Sequence, residues 1–377
     1  MKKVGIVTFF KNYNYGSVLQ CYALQQVLYK FNIQPVALNQ IEKGIRWKII
    51  KAVRLAKLLL SVAAYPQRGI YVYKNYRESK RSCETLPDKI REGFDSFVRK
   101  NIYYENHSFD DLKKEGVFIG YISGSDQVWG TSGYFLNPYM FLQFTKKENR
   151  YAYAASFGSD KCPKWFAKKL RSYLYGYNKL SVREVSGLEI LNQFGLESQI
   201  HVDPTLLLDV NEWKQIASNN HIKNYIFLYF LNEPSTLAIN HINMLIKKND
   251  IRYVLACPYK FRNYSEVNAN IVFVNLSPEE FIGTIENARI VCTDSFHGSA
   301  FSIIFRRAFF TYYRQYAHNA VQNNRIETLL SHYMLQNQIV KEETNYNIPD
   351  YSMVTKIIEN DRRSALTYLQ LIIEDMK

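Results

Sequence analysis

Short apolar runs that stop at glycine, serine, threonine or asparagine recur along this chain, and several are followed by apolar residues at helical spacing. The first run covers residues 4–10. A polar loop with glycine follows over residues 12–17, then a helical pattern carried by Val18, Leu19, Tyr22, Ala23, Val27 and Tyr29. A second strand is predicted over residues 34–38, after the short break Phe31-Asn32, so the pair should be parallel with a right-handed crossover. The alternation resumes with strands predicted over residues 117–122, 150–155, 180–183 and 200–202, each ending in a small or polar turn. A new series covers residues 225–230, 253–256, 271–274, 289–292 and 308–312, and a last helical pattern over residues 351–376 is long enough to pack across the other half.

The pattern predicts an α/β protein of two Rossmann-like domains facing a central cleft, with the break near residues 205–222. Residues 1–210 would form the first domain and 211–377 the second, and a chain of 377 residues can bury two separate cores. In open α/β sheets, ligands bind at the carboxyl ends of the strands, where new helices offer unpaired N–H groups and a positive dipole end. The candidate chemistry therefore sits in the turns.

Composition narrows the class. No apolar run approaches the roughly 18 to 20 residues that a membrane span needs. The opening Met-Lys-Lys-Val-Gly-Ile-Val-Thr-Phe reads as a strand rather than a signal peptide, so a cytoplasmic protein is expected. The five cysteines are widely spaced without a CxxC pair, and no histidines have ligand spacing. Neither a disulfide framework nor a metal site is expected, and Cys21 and Cys292 read as buried residues of a helix and a strand.

The net charge of +14 favours anionic partners. The basic residues are scattered, with no zinc-finger spacing or RRM signature, so nucleic acid is not an expected partner. Residues 43–81 interleave Lys and Arg with aliphatics in an amphipathic helical pattern. A helix covering its own domain is the favoured reading; the alternative is a membrane-surface helix making a peripheral contact with anionic lipid on the inner face.

The richest turn is Thr293-Asp294-Ser295-Phe296-His297-Gly298-Ser299. It places an imidazole, which titrates near neutral pH, at a predicted helix start facing an anionic substrate. From the first half come Asn14, Tyr15, Gly16 and Ser17, where glycine permits close backbone approach; a plain helix cap explains them equally well. Ser123 to Gln127 brings Ser125, Asp126 and Gln127 to a strand end, a density suited to sugar hydroxyls or to a satisfied turn. Arg183 follows a strand beside Glu184, as an anion fork or half of a structural pair. Asp203-Pro204-Thr205 reads as a turn.

Six motifs in order resemble the polysaccharide pyruvyl transferases: Asn14-Tyr15-Gly16-Ser17-Val18-Leu19-Gln20, Gly124-Ser125-Asp126-Gln127-Val128-Trp129, Tyr153-Ala154-Ala155-Ser156-Phe157-Gly158, Ser181-Val182-Arg183-Glu184, Asp203-Pro204-Thr205-Leu206-Leu207 and Thr293-Asp294-Ser295-Phe296-His297-Gly298. The resemblance runs over residues 4–330 and implies a fold similar to two-domain GT-B glycosyltransferases. It also implies transfer of a pyruvyl group from phosphoenolpyruvate to a sugar of a cell-surface polysaccharide or its lipid-linked precursor, forming a ketal. By that resemblance His297 is the general acid and Arg183 grips the donor. Ser295, Gly298, Ser299 and Arg325 are further donor contacts, and Asn14, Tyr15, Gly16, Ser17, Ser125, Asp126, Gln127 and Asp294 line the cleft. Phosphoenolpyruvate is a substrate there and no cofactor is implied.

The family's characterised members carry a lysine downstream of the histidine, and this chain has none between His297 and Lys341. Arg306, Arg307, Arg314 or Arg325 would have to serve instead. Two other readings keep the architecture: a nucleotide-sugar glycosyltransferase, and a non-catalytic carbohydrate-binding protein.

Overall fold

A computed structural model describes residues 1–41, 52, 53, 55, 56, 59, 60, 62, 63, 69, 86–114, 116–131, 135–218, 222–251, 253–258, 264–314, 320–343 and 346–376. Most of residues 43–81, and with them the amphipathic helix expected there, lie outside the described residues.

The first half holds β1 (Lys2–Val7), β2 (Ile33–Gln40), β3 (Tyr104–His107), β4 (Gly120–Ser123) and β5 (Arg150–Ala152), joined side by side in the order β3-β2-β1-β4-β5. A short pair, β6 (Ser181–Val182) and β7 (Gln199–Ile200), extends this sheet through single bridges from Ala155 to Val182 and from Tyr151 to Lys179. The second half holds β8 (Tyr225–Tyr229), β9 (Tyr253–Ala256), β10 (Asn270–Phe273), β11 (Ile290–Thr293) and β12 (Ala308–Thr311), in the order β10-β9-β8-β11-β12. Every strand pair is parallel, and the two halves share one topology, so each has its switch point between its first and fourth strands. The turns after β1, β4, β8 and β11 therefore converge, which is what positions the site.

Ten helices are assigned among the described residues: α1 (Tyr15–Tyr29), α2 (Asp88–Asn101), α3 (Lys164–Leu174), α4 (Val185–Gln193), α5 (Val210–Ile216), α6 (Thr236–Lys248), α7 (Pro278–Asn287), α8 (Phe296–Ile304), α9 (Ala320–His332) and α10 (Val354–Asp375). None is long and apolar enough to cross a membrane. Among the elements that the sequence pattern did not place are β3 and α2. β3 is a polar edge strand, Tyr-Glu-Asn-His, with no apolar alternation to betray it. α2 buries Ile90, Phe94, Phe97 and Val98 at helical spacing, but follows a long stretch without strand punctuation.

The two halves share a core. Tyr15 is fully buried; its ring stacks on Phe281 at 4.2 Å between centroids and lies 4.7 Å from Phe94 and 5.7 Å from Tyr229. Its hydroxyl donates to the Leu276 carbonyl at 2.7 Å. Tyr15 was expected in the cleft and instead belongs to the seam between the domains, because its ring and its hydroxyl are both spent on the second half.

The terminal helix α10 closes the other side. It starts from the second half and ends on the first, where Tyr368 donates to the Ala152 carbonyl at 2.9 Å and Lys179 pairs with Asp375 at 3.1 Å. Arg362 donates to the Leu206 and Leu208 carbonyls at 2.8 and 2.7 Å. Arg362→Ala removes both of these charge-assisted bonds. It should cost about 2 kcal/mol and lower the melting temperature by several degrees. A calorimetric melt unchanged from the native chain would show that α10 does not clasp the first half.

Candidate active site

The site begins with two helix starts, one from each half. Asn14 caps α1 by accepting the Ser17 N–H at 3.2 Å, and Ser295 caps α8 by accepting the Gly298 N–H at 3.3 Å. Between them packs His297. A Cβ on Gly16 would lie 1.9 Å from His297 Nδ1, so the imidazole of one half rests directly on the α1 backbone of the other. The close approach that the sequence reserved for a ligand is thus used by His297. Gly298 has an equally local reason, since a Cβ there would lie 2.5 Å from Thr293 Oγ1, the atom that receives the Ser295 N–H.

Asp203 organises the centre. It stands before the short helical turn Pro204–Leu206, and its Oδ1 accepts the Thr205 N–H at 3.0 Å and the Thr205 hydroxyl at 2.8 Å. Oδ2 accepts Arg183 Nη1 at 2.6 Å and the Ser125 hydroxyl at 3.3 Å, and lies 3.6 Å from His297 Nε2. Burial alone would raise this carboxyl. The contacts to His297, Arg183 and Thr205 outweigh it and hold Asp203 ionised, well below the usual carboxylate range.

Arg183 projects from the end of β6 and is 6% exposed. Besides Asp203 it has Glu184 at 3.6 Å, Asp126 at 4.0 Å and the Phe296 ring at 4.7 Å beneath its guanidinium. Burial works against its charge, but Asp203, Glu184 and Asp126 together raise its pKa, so it stays cationic. Its Nε and Nη2 have no hydrogen-bond partner, nor do His297 Nε2 and Glu184 Oε2. Buried polar atoms are seldom left so. Two of the four belong to Arg183 itself, and its Nε lies 3.6 Å from Glu184 Oε2, so they form one loosely paired cluster beside the cavity.

Of the four arginines offered as a replacement for the missing lysine, Arg325 alone lines the same cavity. With its carboxamide oxygen turned toward that side chain, Gln127 accepts from Arg325 Nη1 and Nη2 at 2.6 and 2.8 Å. Burial, then repulsion from Arg183, lowers Arg325 to about 10, which leaves it charged at neutral pH. Arg306 bonds to Thr355, Arg307 to the Phe305 carbonyl, and Arg314 to Asp294. The cavity holds about 690 Å³, within the range of small-molecule sites. Arg183, Asp203, Phe296 and Arg325 form its inner end, and His297 stands behind Asp203 and Phe296 rather than on the wall.

Ser17 and Asp126 join the cluster from the first half, the Ser17 hydroxyl donating to Asp126 Oδ2 at 2.5 Å. Of the expected site residues, Arg183 and Arg325 line the cavity and the others do not; three of these others have clear structural duties. The Ser295 oxygen is spent on the cap. Ser299 is fully buried between the Ser295 carbonyl and the Thr311 hydroxyl, at 3.2 and 2.9 Å, because it points inward from α8. Asp294, expected in the cleft, accepts the Leu231 and Asn232 N–H groups at 2.7 and 3.0 Å and pairs with Arg314 at 3.3 Å, which fixes the loop after β8. Burial pushes the Cys292 thiol up to about 12, so it is no nucleophile near neutral pH.

Among the cavity residues that sequence reasoning missed are Asp203, read only as a turn, His201, His332 and Asp361. Asp361 accepts His332 Nε2 and the Tyr333 hydroxyl, both at 2.8 Å. These side chains come together only when α10 crosses back, and no local spacing announces that.

A family model described as polysaccharide pyruvyl transferase matches residues 14–316, which include every residue of the central cluster except Arg325. The chain belongs to the polysaccharide pyruvyl transferase family. No curated protein matches it. Among solved structures, it is similar to a putative UDP-N-acetylglucosamine 2-epimerase from Listeria monocytogenes, with 8% identity and TM-score 0.50, covering 97% of this chain and 91% of that one. It is also similar to the UDP-GlcNAc 2-epimerase from Neisseria meningitidis, with 10% identity and TM-score 0.48, covering 100% and 94%. These likenesses concern the fold, and the architecture of this pyruvyl transferase family member is the GT-B-like pairing of two Rossmann-like domains.

Asp203→Asn should destabilise the protein by about 3 kcal/mol or more at neutral pH, since it leaves Arg183 with one ion-pair partner fewer in a buried site. The folded carboxyl is held below its unfolded value of 3.8, so its contribution is complete above that value and fades as pH falls through the folded one. Urea unfolding of both proteins from pH 7 down to pH 3 checks this. A difference that stays constant across the range would contradict it.

Proposed function

We propose that this protein transfers the pyruvyl group of phosphoenolpyruvate to two hydroxyls of a sugar belonging to a cell-surface polysaccharide or its lipid-linked precursor, forming a ketal. The observation that carries the reading is a buried arginine with two unpartnered N–H groups, next to an imidazole whose Nε2 is unpartnered as well. Family membership supplies the reaction class, and the cluster supplies groups that suit it.

The donor carries a carboxylate and a phosphate. Arg183 Nε and Nη2 would bind one and Arg325 the other, charge-assisted bonds strengthened by burial. His297 delivers its proton to the donor's methylene carbon, which becomes the ketal methyl and leaves positive charge at C2. One sugar hydroxyl adds to C2, phosphate departs with its bridging oxygen, and the second hydroxyl completes the ketal. Of the two hydroxyl protons, one restores the imidazole and the other leaves with phosphate. Asp203, whose Oδ2 lies 3.6 Å from His297 Nε2, would stabilise the imidazolium by its charge.

His297→Ala should abolish ketal formation, by 10²-fold or more, in a variant shown by circular dichroism to keep its fold, although the loss of its packing on Gly16 lowers the melting temperature. Arg183→Ala should lose the saturable thermal stabilisation that phosphoenolpyruvate gives the native chain, with inorganic phosphate and a nucleotide sugar as comparators. Undiminished turnover in the first variant sinks the acid role. Stabilisation by the nucleotide sugar and none by phosphoenolpyruvate would replace this reading with glycosyl transfer.

A further inference from the structure

α3 is anchored to the first half by Phe166, Leu170 and Leu174, buried at four-residue spacing along one side. The opposite arc faces outward. It carries Lys164, Lys168, Lys169 and Arg171, all exposed, and Lys161 just before the helix is exposed as well. Residues 161–183 contain no aspartate or glutamate, where the chain's overall share of 34 acids in 377 residues would place about two. Among the described residues, none of these five cations pairs with a carboxylate. Arg171 Nε donates to the Phe194 carbonyl at 3.2 Å, and Lys169 Nζ lies 4.6 Å from the centre of the Tyr173 ring. A solvated surface helix ordinarily mixes its charges. This one shows a single sign, the footprint of an anionic partner.

Aromatic rings share the same surface. At ~100° per residue Trp165 falls within the basic arc, where it is half-buried. Tyr175, at the end of the helix, is 61% exposed, with Lys147 Nζ 5.0 Å from its ring centre. Rings with an apolar body and a polar edge settle at the headgroup level of a bilayer, while lysine and arginine beside them reach the lipid phosphates. A single helix about 16 Å long presents this surface as a convex ridge, which suits a membrane plane; nucleic acid strands are instead tracked by grooves.

We propose that the outer face of α3, from Lys161 to Tyr175, docks on the surface of an anionic lipid bilayer. Asp160, on the cavity wall, immediately precedes Lys161, so docking brings the cleft to the membrane. A lipid-linked acceptor would meet the cleft there, a consequence that rests on the proposed function. Docking itself does not, and the two are tested apart.

The test is co-sedimentation of the full chain with vesicles of phosphatidylcholine, with and without a quarter of phosphatidylglycerol. Binding is expected to the anionic vesicles alone and to weaken with added salt. Lys164→Glu with Lys168→Glu should weaken it roughly tenfold or more, whereas the same charge change at Lys247 and Lys341, exposed residues of the second half, should alter it less than about threefold. Trp129 and Trp213 are fully buried, so brominated lipid should quench the tryptophan emission of the native chain and not that of Trp165→Phe. No binding to the anionic vesicles, an equal loss in both charge-reversed variants, or quenching that persists in W165F overturns the docking face and leaves the donor reading untouched. A DNA duplex bound without any vesicle binding would assign the face to nucleic acid instead. Vesicle binding lost with Lys164 and Lys168, in a protein that phosphoenolpyruvate never stabilises, upholds the face and overturns the donor reading.

Discussion

One carboxylate ties the site together. Asp203 is bound to Arg183, Ser125 and Thr205 within the first half, and it meets His297 from the second at 3.6 Å. A buried charge survives only when paired and hydrogen-bonded, and Asp203 meets that condition through groups from both domains. The domain arrangement and the ionisation of the site are therefore one problem. The Tyr15–Phe281 stack, the seat of His297 on Gly16 and the Arg362 clasp of α10 each hold the halves at the spacing this contact needs.

The charges of the cleft differ from those of the whole chain. The surplus of +14 suggested an anionic partner, yet carboxylates outnumber arginines along the cavity, and the two arginines sit together at its inner end. Asp203, Glu184 and Asp126 offset the two arginines there, so an anion would be held by directed N–H groups rather than by net charge, and the rest of the cleft favours neutral ligands. A site so divided can sort a charged donor from an uncharged acceptor by depth.

The repeated β-turn-α alternation was readable because apolar runs and turn residues are local signals, and most predicted strands match the structure to within a few residues. Convergence of the turns followed from topology, so Arg183, His297 and Gln127 could be named together in advance, whereas Arg325 was one of four arginines put forward through the family resemblance. What the sequence could not tell was which face of an element a residue would take. Tyr15 and Ser299 are adjacent in sequence to cleft residues and turn into cores. Asp294 lies three residues from His297 and serves the loop after β8. Asp203 looked like a turn because its bonds to Thr205 are local, while its partners Arg183 and His297 are distant in sequence. His201, His332 and Asp361 meet only through the return of α10, which has no sequence signature at those positions.

The most direct test is a crystal structure of the protein with phosphoenolpyruvate bound, read for the distance from His297 Nε2 to the donor's methylene carbon. The account predicts the donor at the inner end of the cleft between Arg183 and Arg325, with that carbon roughly 3 to 3.5 Å from Nε2. A donor bound there with its methylene turned away from His297, or bound elsewhere on the protein, would contradict it.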